Sequence, residues 1–312
     1  MLSKINAAFE WRFRVAKNSF NKFRWKLKKN LDFSPKAKAE SVSIVVVGRN
    51  DNYGGDFSAR LKTTIDWNLS RFPNSELIYI EWNPLEDKES DTIWMAERYP
   101  NARFFIVPKE VHQQLAGNVK FPILEYFAKN LGIKKSTGEY IMLINADVLI
   151  GTDVKIDALS KNNIYGSHYT NINWDGRPIT GDYINNKDII LASAAAPFNL
   201  ESVVGNFILT HRDNWFKMTG YDERLVDVRN GVDTNGLKML LHLGLKPIAL
   251  GHHYHLDHKE SLINGANPTH GTSERIREIS NGVNIPYQNK IWGMENFNFT
   301  EISPRIWKAS IK

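Results

Sequence analysis

Two groups of polar residues in the sequence have side chains that can bind a metal ion. Asp147 stands soon after the apolar run 141–144, and four of the nine histidines fall between positions 252 and 258. The chain contains no cysteine, which leaves carboxylates and imidazoles as its strong metal ligands. What these residues can do depends on the elements that position them.

The run 141–144 predicts a central strand of a parallel sheet, because a strand buried on both faces has a continuous apolar sequence. Asp147 would then emerge at the carboxyl edge, where open α/β sheets bind their ligands. The alternative is that Asp147 only caps the next turn. Residues 246–250 predict another strand just before the histidines. In an extended segment His253 and His255 share a face, and a turn would bring His258 beside His255.

The elements before Asp147 alternate between strand and helix. Strands are predicted at 41–47, 77–82 and 104–107, and helices at 57–72, 91–99 and 122–131. With the strand at 141–144, this succession predicts a parallel sheet that is covered by helices on both faces. Beyond Asp147 the predicted strands are shorter and more polar. The C-terminal stretch is rich in aromatic residues, and its sequence leaves open whether it covers a binding groove or wraps the core.

The positive charge of the chain is confined to its N-terminal tail. Residues 1–40 contain eleven Lys and Arg against three Asp and Glu, a net charge of +8, whereas the whole chain has +6. The body is therefore slightly acidic, which argues against a nucleic-acid-binding face. No apolar run reaches the roughly 18 residues that cross a bilayer, and no secretory signal is visible. We expect a cytoplasmic location, with or without peripheral attachment to a membrane.

The tail has the pattern of a basic amphipathic helix. Its apolar residues recur every three or four positions: Leu2, Ile5, Phe9, Phe13, Ala16, Phe20, Phe23 and Leu27. Lysines crowd the other side, which predicts binding of residues 1–30 to an anionic membrane surface. The alternative is packing on the body or on a second subunit. The helical period ends near Pro35, so we expect a tail and linker at 1–40 and a domain at 41–312, with halves 41–150 and 151–312.

Several segments resemble the nucleotide-sugar glycosyltransferases with the GT-A fold, close to the family 2 type. They are 45–51, 129–133 and 138–147 in the first half, and 205–209, 220–223 and 231–233 in the second. The resemblance covers roughly residues 41–260. It implies a GT-A (Rossmann-like), mostly parallel sheet, preceded here by the N-terminal helix. It also implies transfer of a sugar from a UDP- or GDP-sugar to a hydroxyl of a glycan or lipid-linked acceptor.

The resemblance implies a divalent metal, Mn²⁺ or Mg²⁺, because the departing diphosphate accumulates charge. It gives Asp147 and His255 as metal ligands, and an imidazole ligand tilts the selection modestly toward manganese. The alternative for the histidines is that they bind acceptor hydroxyls or only pack. Asn145 stands where the family has the first aspartate of its D-x-D motif. It can bond a ribose hydroxyl but adds no charge.

The resemblance also implies residues that bind the nucleotide. Asp51 and Glu81 end the first two predicted strands, where the family reads the nucleobase and ribose. Tyr53 is placed to stack on the base. Asn130 belongs to the motif at 129–133. The alternative for each of them is ordinary loop chemistry.

For an inverting transfer, one carboxylate must accept the proton of the acceptor hydroxyl. Asp233 is the candidate base, since it precedes a predicted helix, and Asp227 is the reserve. The alternative is that Asp233 only caps that helix. Asn145 and Val232 depart from the family pattern, which leaves open a non-catalytic binding or scaffold protein with the same fold. A nucleotidyltransferase ranks last, because the loop at 48–56 has only one basic residue.

Overall fold

The computed structural model describes residues 41–193, 204–228, 231–259 and 290–312. The predicted tail helix and linker at 1–40 lie outside the described residues, so they stay predictions. Among the helices that the structure describes, none is both long enough and apolar enough to cross a membrane.

The first half of the described chain supplies four parallel strands at the centre of one mixed sheet. They are β1 Val42–Gly48, β2 Glu76–Trp82, β3 Arg103–Val107 and β4 Tyr140–Ile144. They lie in the order β3-β2-β1-β4, and each neighbouring pair is parallel. Every residue of β4 is buried, as expected for a strand covered on both faces. The predicted parallel sheet is confirmed.

Helices cover this sheet on both faces. They are α1 Phe57–Arg71, α2 Asp91–Arg98, α3 Lys109–Ala116 and α4 Glu125–Lys135. Leu61 of α1 packs in one apolar cluster with Val46, whereas Leu131 of α4 packs in another with Val45. Successive residues of a strand point to opposite faces, so α1 and α4 lie on opposite sides of β1.

Two of these helices differ from the sequence prediction. The helix predicted at 122–131 continues through Gly132 to the end of α4. A Cβ at Gly132 would lie 2.2 Å from Cγ1 of Val45, so this glycine allows close approach to β1 and does not end the helix. The sequence does not predict α3, because its two turns contain few apolar residues.

The second half extends the sheet on the far side of β4. Its strands are β5 Val148–Ile150, β6 Asn163–Ile172, β7 Ile190–Ser193, β8 Phe207–His211 and β9 Lys246–Leu256. The order is β4-β8-β6-β9-β5, with β7 paired to β6. Its helices are α5 Gly181–Asn185, α6 Arg212–Met218 and α7 Val232–His242. The strand predicted at 246–250 is longer than expected, so three of the four clustered histidines belong to β9.

The aromatic C-terminus forms a hairpin, β10 Phe297–Ser303 and β11 Ile306–Ile311. β11 pairs in parallel with β3 and extends the opposite edge of the sheet. Trp307 stacks on Phe105 of β3, with ring centroids 5.0 Å apart. The described part of this stretch therefore packs on the core and does not line the cavity that lies at the carboxyl ends of β1 and β4.

Candidate functional site

A cavity of 250 Å³, called here the edge cavity, lies at the carboxyl ends of β1 and β4. Its apolar lining comes mainly from residues 121–127 and 225–228. Its polar and charged lining residues are Arg49, Asp51, Tyr53, Glu125, Asn145, Asp147 and Asp222. This is the edge that the position of Asp147 predicts as a ligand site.

Pairing between β5 and β9 brings Asp147 to the histidine run. The chain leaves β4, turns at 145–147 and continues as β5 antiparallel to β9, with Val148 opposite His255. The carbonyl oxygen of Asp147 accepts a hydrogen bond from the Leu256 amide at 2.9 Å. The backbone thus places the Asp147 carboxylate beside the side chain of His255.

Asp147, His255 and His258 form a compact buried cluster, called here the Asp-His-His cluster. The Nε2 of His255 lies 3.6 Å from Oδ1 of Asp147, and the Nε2 of His258 lies 3.3 Å from Oδ2. The three possible ligand atoms all lie within 4.8 Å of one another. Among the described residues, this is the one group of three such side chains that could hold a metal ion.

Neighbouring residues fix the orientation of both imidazoles. The Nδ1 of His255 lies 2.7 Å from the amide oxygen of Asn171, which can only accept, so Nδ1 donates to Asn171 and Nε2 faces Asp147. The ring of His258 packs edge-on against Tyr53, with centroids 5.0 Å apart. A Cβ at Gly54 would lie 2.5 Å from Nδ1 of His258. Only a glycine at position 54 leaves room for this ring.

The electrostatics of the cluster suit a cation. Burial acts to raise the pKa of Asp147, but His255 and His258 beside it outweigh this effect and hold the pKa well below its ordinary value. The Oδ1 of Asp147 is buried without a hydrogen-bond partner. A buried carboxylate oxygen without a partner is costly unless a ligand satisfies it. One carboxylate and two imidazoles therefore fit a divalent transition metal.

His253 lies on the same side of β9 as His255 but has a different role. It is fully buried, its Nδ1 lies 2.7 Å from the Ser167 hydroxyl, and its ring stacks on Phe207. Burial, followed by the neighbouring histidines, lowers its pKa to about 3. His253 is thus a neutral core residue outside the Asp-His-His cluster.

Three of the predicted nucleotide-binding residues line the edge cavity: Asp51, Tyr53 and Asn145. Asp51 forms a 2.7 Å ion pair with Arg49, whose Nε donates to the Asn83 carbonyl oxygen. The backbone amide of Tyr53 donates to Oδ1 of Asp51. The loop after β1 therefore presents a fixed carboxylate and an exposed aromatic ring to the cavity.

Glu81 is placed differently from the sequence prediction. Its side chain is fully buried and accepts hydrogen bonds from the Ser90 hydroxyl and the Asp91 amide at the start of α2. Burial raises the pKa of its carboxyl. Because Glu81 lies within β2 and not beyond its end, its side chain points into the core and away from the edge cavity.

Asn130 also lies away from the edge cavity. It is fully buried in α4, its side-chain amide donates to the Tyr221 carbonyl oxygen and to Glu223, and its oxygen accepts from the Tyr221 amide. This amide holds the loop 220–223, in which Gly220 has a φ of 71°. The expectation that Asn130 contacts a nucleotide is therefore corrected: its polar atoms are all used within the protein.

Asp233 occupies the first turn of α7, but the N-cap is Gly231 with a φ of 83°. Asp233 is thus the second residue of the helix and not its N-cap, and its carboxylate accepts a hydrogen bond from the first-turn amide of Thr234. Burial raises the pKa of its carboxyl, and the Thr234 amide and then the charge of Lys129 act against this effect. Asp233 does not line the edge cavity. It interacts electrostatically with Glu125 and Tyr126, and both of these residues line the cavity. The reserve candidate Asp227 is exposed between two lining valines.

Sequence reasoning missed two residues that organise this site. Lys129 is buried and its Nζ lies 3.2 Å from the Asn145 side-chain oxygen. Asn171 of β6 fixes His255. Lys129 is the first residue of the motif at 129–133, which could have drawn notice to it. Asn171 has no sequence signal, since its role depends on the parallel pairing of β6 with β9.

The fold is the GT-A fold of nucleotide-sugar glycosyltransferases, as the sequence resemblance implies. The chain is similar to the crystal structure of GalNAc-T7 with UDP, GalNAc and Mn²⁺, with a TM-score of 0.51 and 16% identity. That match covers 77% of this chain and 47% of the other, so the chain spans about half the length of this relative.

A second similar structure is the mannosyltransferase PcManGT from Pyrobaculum calidifontis in complex with GDP-Man and Mn²⁺. Its TM-score is 0.47 at 16% identity, over 83% of this chain and 66% of the other. No family model matches the sequence, and no curated protein sequence does either. At this level of identity the match to GalNAc-T7 establishes the fold alone, and the chemistry must be argued from the site.

Proposed function

We propose that the chain is a metal-dependent glycosyltransferase, which moves a sugar from a nucleoside-diphosphate sugar to an acceptor hydroxyl. The Asp-His-His cluster carries this proposal, because it combines a carboxylate oxygen without a partner with two oriented imidazoles at a cavity edge. GalNAc-T7, which shares the fold, was determined with UDP and Mn²⁺. That pairing supports a UDP-sugar first and a GDP-sugar second as the donor.

Asp147, His255 and His258 would hold the divalent ion. When bound, such an ion neutralises the charge that develops on a departing diphosphate. Two imidazoles are softer ligands than the carboxylates and waters that suit magnesium, so we infer manganese as the preferred ion. The edge cavity then receives the rest of the donor.

Three residues of this chain are proposed to bind the nucleoside. Asp51 is held by Arg49 and offers acceptor oxygens to the base or ribose. Tyr53 is 38% exposed and offers an aromatic face for stacking. Asn145 offers one amide N–H to a ribose hydroxyl, because its nitrogen donates once to Asn206 and its oxygen accepts from Lys129. Glu81 and Asn130 are not part of this proposal, because their polar atoms are used elsewhere.

We further propose an inverting reaction in which Asp233 accepts the acceptor proton. A carboxyl whose pKa is raised by burial is a better proton acceptor than an exposed one. In such a step the acceptor oxygen bonds to the anomeric carbon, its proton passes to the Asp233 carboxylate, and the sugar–diphosphate bond breaks. A glycan or lipid-linked hydroxyl is the proposed acceptor, and an anionic membrane surface is the proposed partner of residues 1–30.

A thermal-shift screen of UDP, GDP and their sugars, with and without Mn²⁺, tests the proposal. We expect a manganese-dependent stabilisation by one nucleotide, and Asp147→Asn should abolish it while the fold stays intact. Asp153→Asn is a matched control, because Asp153 also pairs with a histidine, His252, at 2.6 Å, but both side chains are about half exposed and outside the cavity. Unchanged nucleotide stabilisation in Asp147→Asn would overturn the metal assignment.

A non-catalytic nucleotide-sugar-binding protein is the second candidate. Asn145 favours it, because this position lacks the charge that the family has there. The two functions differ in turnover: a binder would show the same thermal shifts but release no UDP or GDP from the sugar donor.

A further inference from the structure

Lys129 is a charged residue in an unusual environment. Its residue surface is only 2% exposed, and lysines are rarely buried to this extent. Its Nζ lies 2.5 Å from Oε1 of Glu125, 3.2 Å from the side-chain oxygen of Asn145 and 3.3 Å from the carbonyl oxygen of Gly205. An ammonium group has three protons, so these contacts match its full capacity.

Asp233 and Lys129 both contact Gly205. A Cβ on this glycine would lie 2.5 Å from Oδ2 of Asp233, so the carboxylate packs directly against the Gly205 backbone. Lys129 bonds the carbonyl group of the same residue. The ammonium group and the carboxylate therefore share one neighbour and sense each other's charge.

The other titratable groups that face Asp233 are acidic. Glu125 and Tyr126 approach from α4, and Tyr221 approaches from the loop before α7. In this part of the described chain, Lys129 is the cation among them. Loss of its charge would leave two partly buried carboxylates, Asp233 and Glu125, without this counterion.

We propose that Lys129 is a positioning residue that holds Asp233 in its proton-accepting form and orients Asn145 at the edge cavity. This inference rests on the proposed function, since it takes Asp233 to be the general base. One ammonium group would thus join the donor side of the site to the acceptor side.

The charge balance makes a prediction with a defined sign. Burial raises the pKa of Asp233, whereas the hydrogen bond from the Thr234 amide and then the charge of Lys129 lower it, and the charge of Glu125 raises it. Of these influences, Lys129 and Glu125 are the two side-chain charges that a substitution can remove. Without the ammonium charge, Asp233 would stay protonated to higher pH. The acid limb, which is the rise of turnover on the acidic side of the pH profile, would then move up by about one pH unit. Without the Glu125 charge, the limb would move down.

The experiment measures release of UDP or GDP from UDP-N-acetylgalactosamine, UDP-glucose and GDP-mannose with Mn²⁺ between pH 4.5 and 9. The variants are Lys129→Met, Lys129→Arg and Glu125→Gln, with Lys134→Met as control. Lys134 lies on the same helix but pairs with Glu295 and packs on Trp292. We expect an upward shift for Lys129→Met, a downward shift for Glu125→Gln, and none for the other two.

A second readout does not require turnover. The difference in Tm between the chain and its Asp233→Asn variant follows the titration of Asp233, because only one of the two has the carboxyl. When both proteins also carry Lys129→Met, we expect the Tm difference to reach its plateau at a pH about one unit higher. Should Lys129→Met fail to fold, the downward shift of Glu125→Gln tests the same charge balance.

The two proposals fail in different ways. An acid limb and Tm difference that stay unchanged in both Lys129→Met and Glu125→Gln would overturn the role of Lys129. Near wild-type turnover in Asp233→Asn would show that Asp233 is not the base. The pH dependence of the Tm difference would then still decide whether Lys129 controls the ionisation of Asp233.

Discussion

His258 Nε2 lies 3.3 Å from Oδ2 of Asp147, which connects the loop after β9 to the end of β4. The ring of His258 also rests on the loop after β1, between Tyr53 and Gly54. The backbone amide of Lys259 donates to the Gly54 carbonyl oxygen at 3.3 Å. The proposed nucleotide side and the proposed metal side of the site therefore share the side chain of His258.

This contact predicts a specific effect of Gly54→Ala on metal binding. Gly54 has a φ of 67°, and an added Cβ would collide with the His258 ring. We expect Gly54→Ala to weaken Mn²⁺ binding at least about tenfold, as loss of a ligand contact typically does. Isothermal titration with MnCl₂ measures the affinity.

Gly55→Ala is the control for backbone strain. Gly55 has a φ of 75°, but nothing lies within 4 Å of its added Cβ. Both variants should lose about 1 kcal/mol of stability from the positive φ, and only Gly54→Ala should lose metal affinity. Equal Mn²⁺ affinity in the two variants would show that His258 is not a ligand.

The sequence predicts the position of Asp147 better than the positions of the two histidines that meet it. Asp147 follows a strand whose continuous apolar run is readable, and the parallel order β3-β2-β1-β4 follows from alternating elements. Which histidine meets Asp147 depends on the antiparallel register of β5 with β9, which no local pattern reveals. The position of His258 beside Asp147 depends on a turn after β9, so the sequence gives this contact only as one alternative.

Glu81 shows why strand-end residues are difficult to assign. The predicted and observed strands both end at Trp82. A shift of one position along the chain nevertheless decides whether a side chain lies on a face of the sheet or reaches the edge cavity. Asp51 and Asp147 lie past the last paired residue of their strands and reach the cavity. Glu81 lies one residue before the end of its strand and reaches α2.

This position of Glu81 predicts a structural and not a ligand-binding role. Glu81→Ala should destabilise the fold by about 2 kcal/mol, because the Ser90 hydroxyl and Asp91 amide lose their acceptor. The Tm increment from UDP or GDP with Mn²⁺ should be unchanged. Glu86→Ala, at an exposed position of the following loop, should alter neither quantity. A lost nucleotide increment in Glu81→Ala would return this residue to the nucleotide site.

The basic tail predicts reversible membrane binding. Deletion of residues 1–33 should move the protein from phosphatidylserine liposomes to the supernatant, since its cations contribute about 1 kcal/mol each near anionic headgroups. Added salt should release the full chain gradually, and neutral phosphatidylcholine liposomes are the control. A truncated chain that still sediments with the anionic liposomes would assign the tail to packing on the body or on a second subunit.

Asp233→Asn is expected to separate catalysis from binding. Asparagine keeps the size of the side chain but cannot accept a proton at neutral pH, so UDP or GDP release should fall by roughly 10²- to 10⁴-fold. Binding of the nucleotide with Mn²⁺ should persist, because the proposed metal ligands are Asp147, His255 and His258. Steady-state kinetics and thermal shifts on the same preparations measure the two quantities.

The same substitution should stabilise the fold at neutral pH. Burial raises the pKa of Asp233 above its unfolded value, so the folded state binds the proton more tightly. Stability then decreases as pH rises from the unfolded pKa, about 3.9, through the folded pKa, and the ionised carboxylate is a net cost above that window. Asp233→Asn should therefore have the higher Tm at pH 7, with a difference that vanishes near pH 4. A variant that loses activity and also loses stability at pH 7 would instead indicate that Asp233 supports α7 structurally, and the assignment of the base would pass to Asp227.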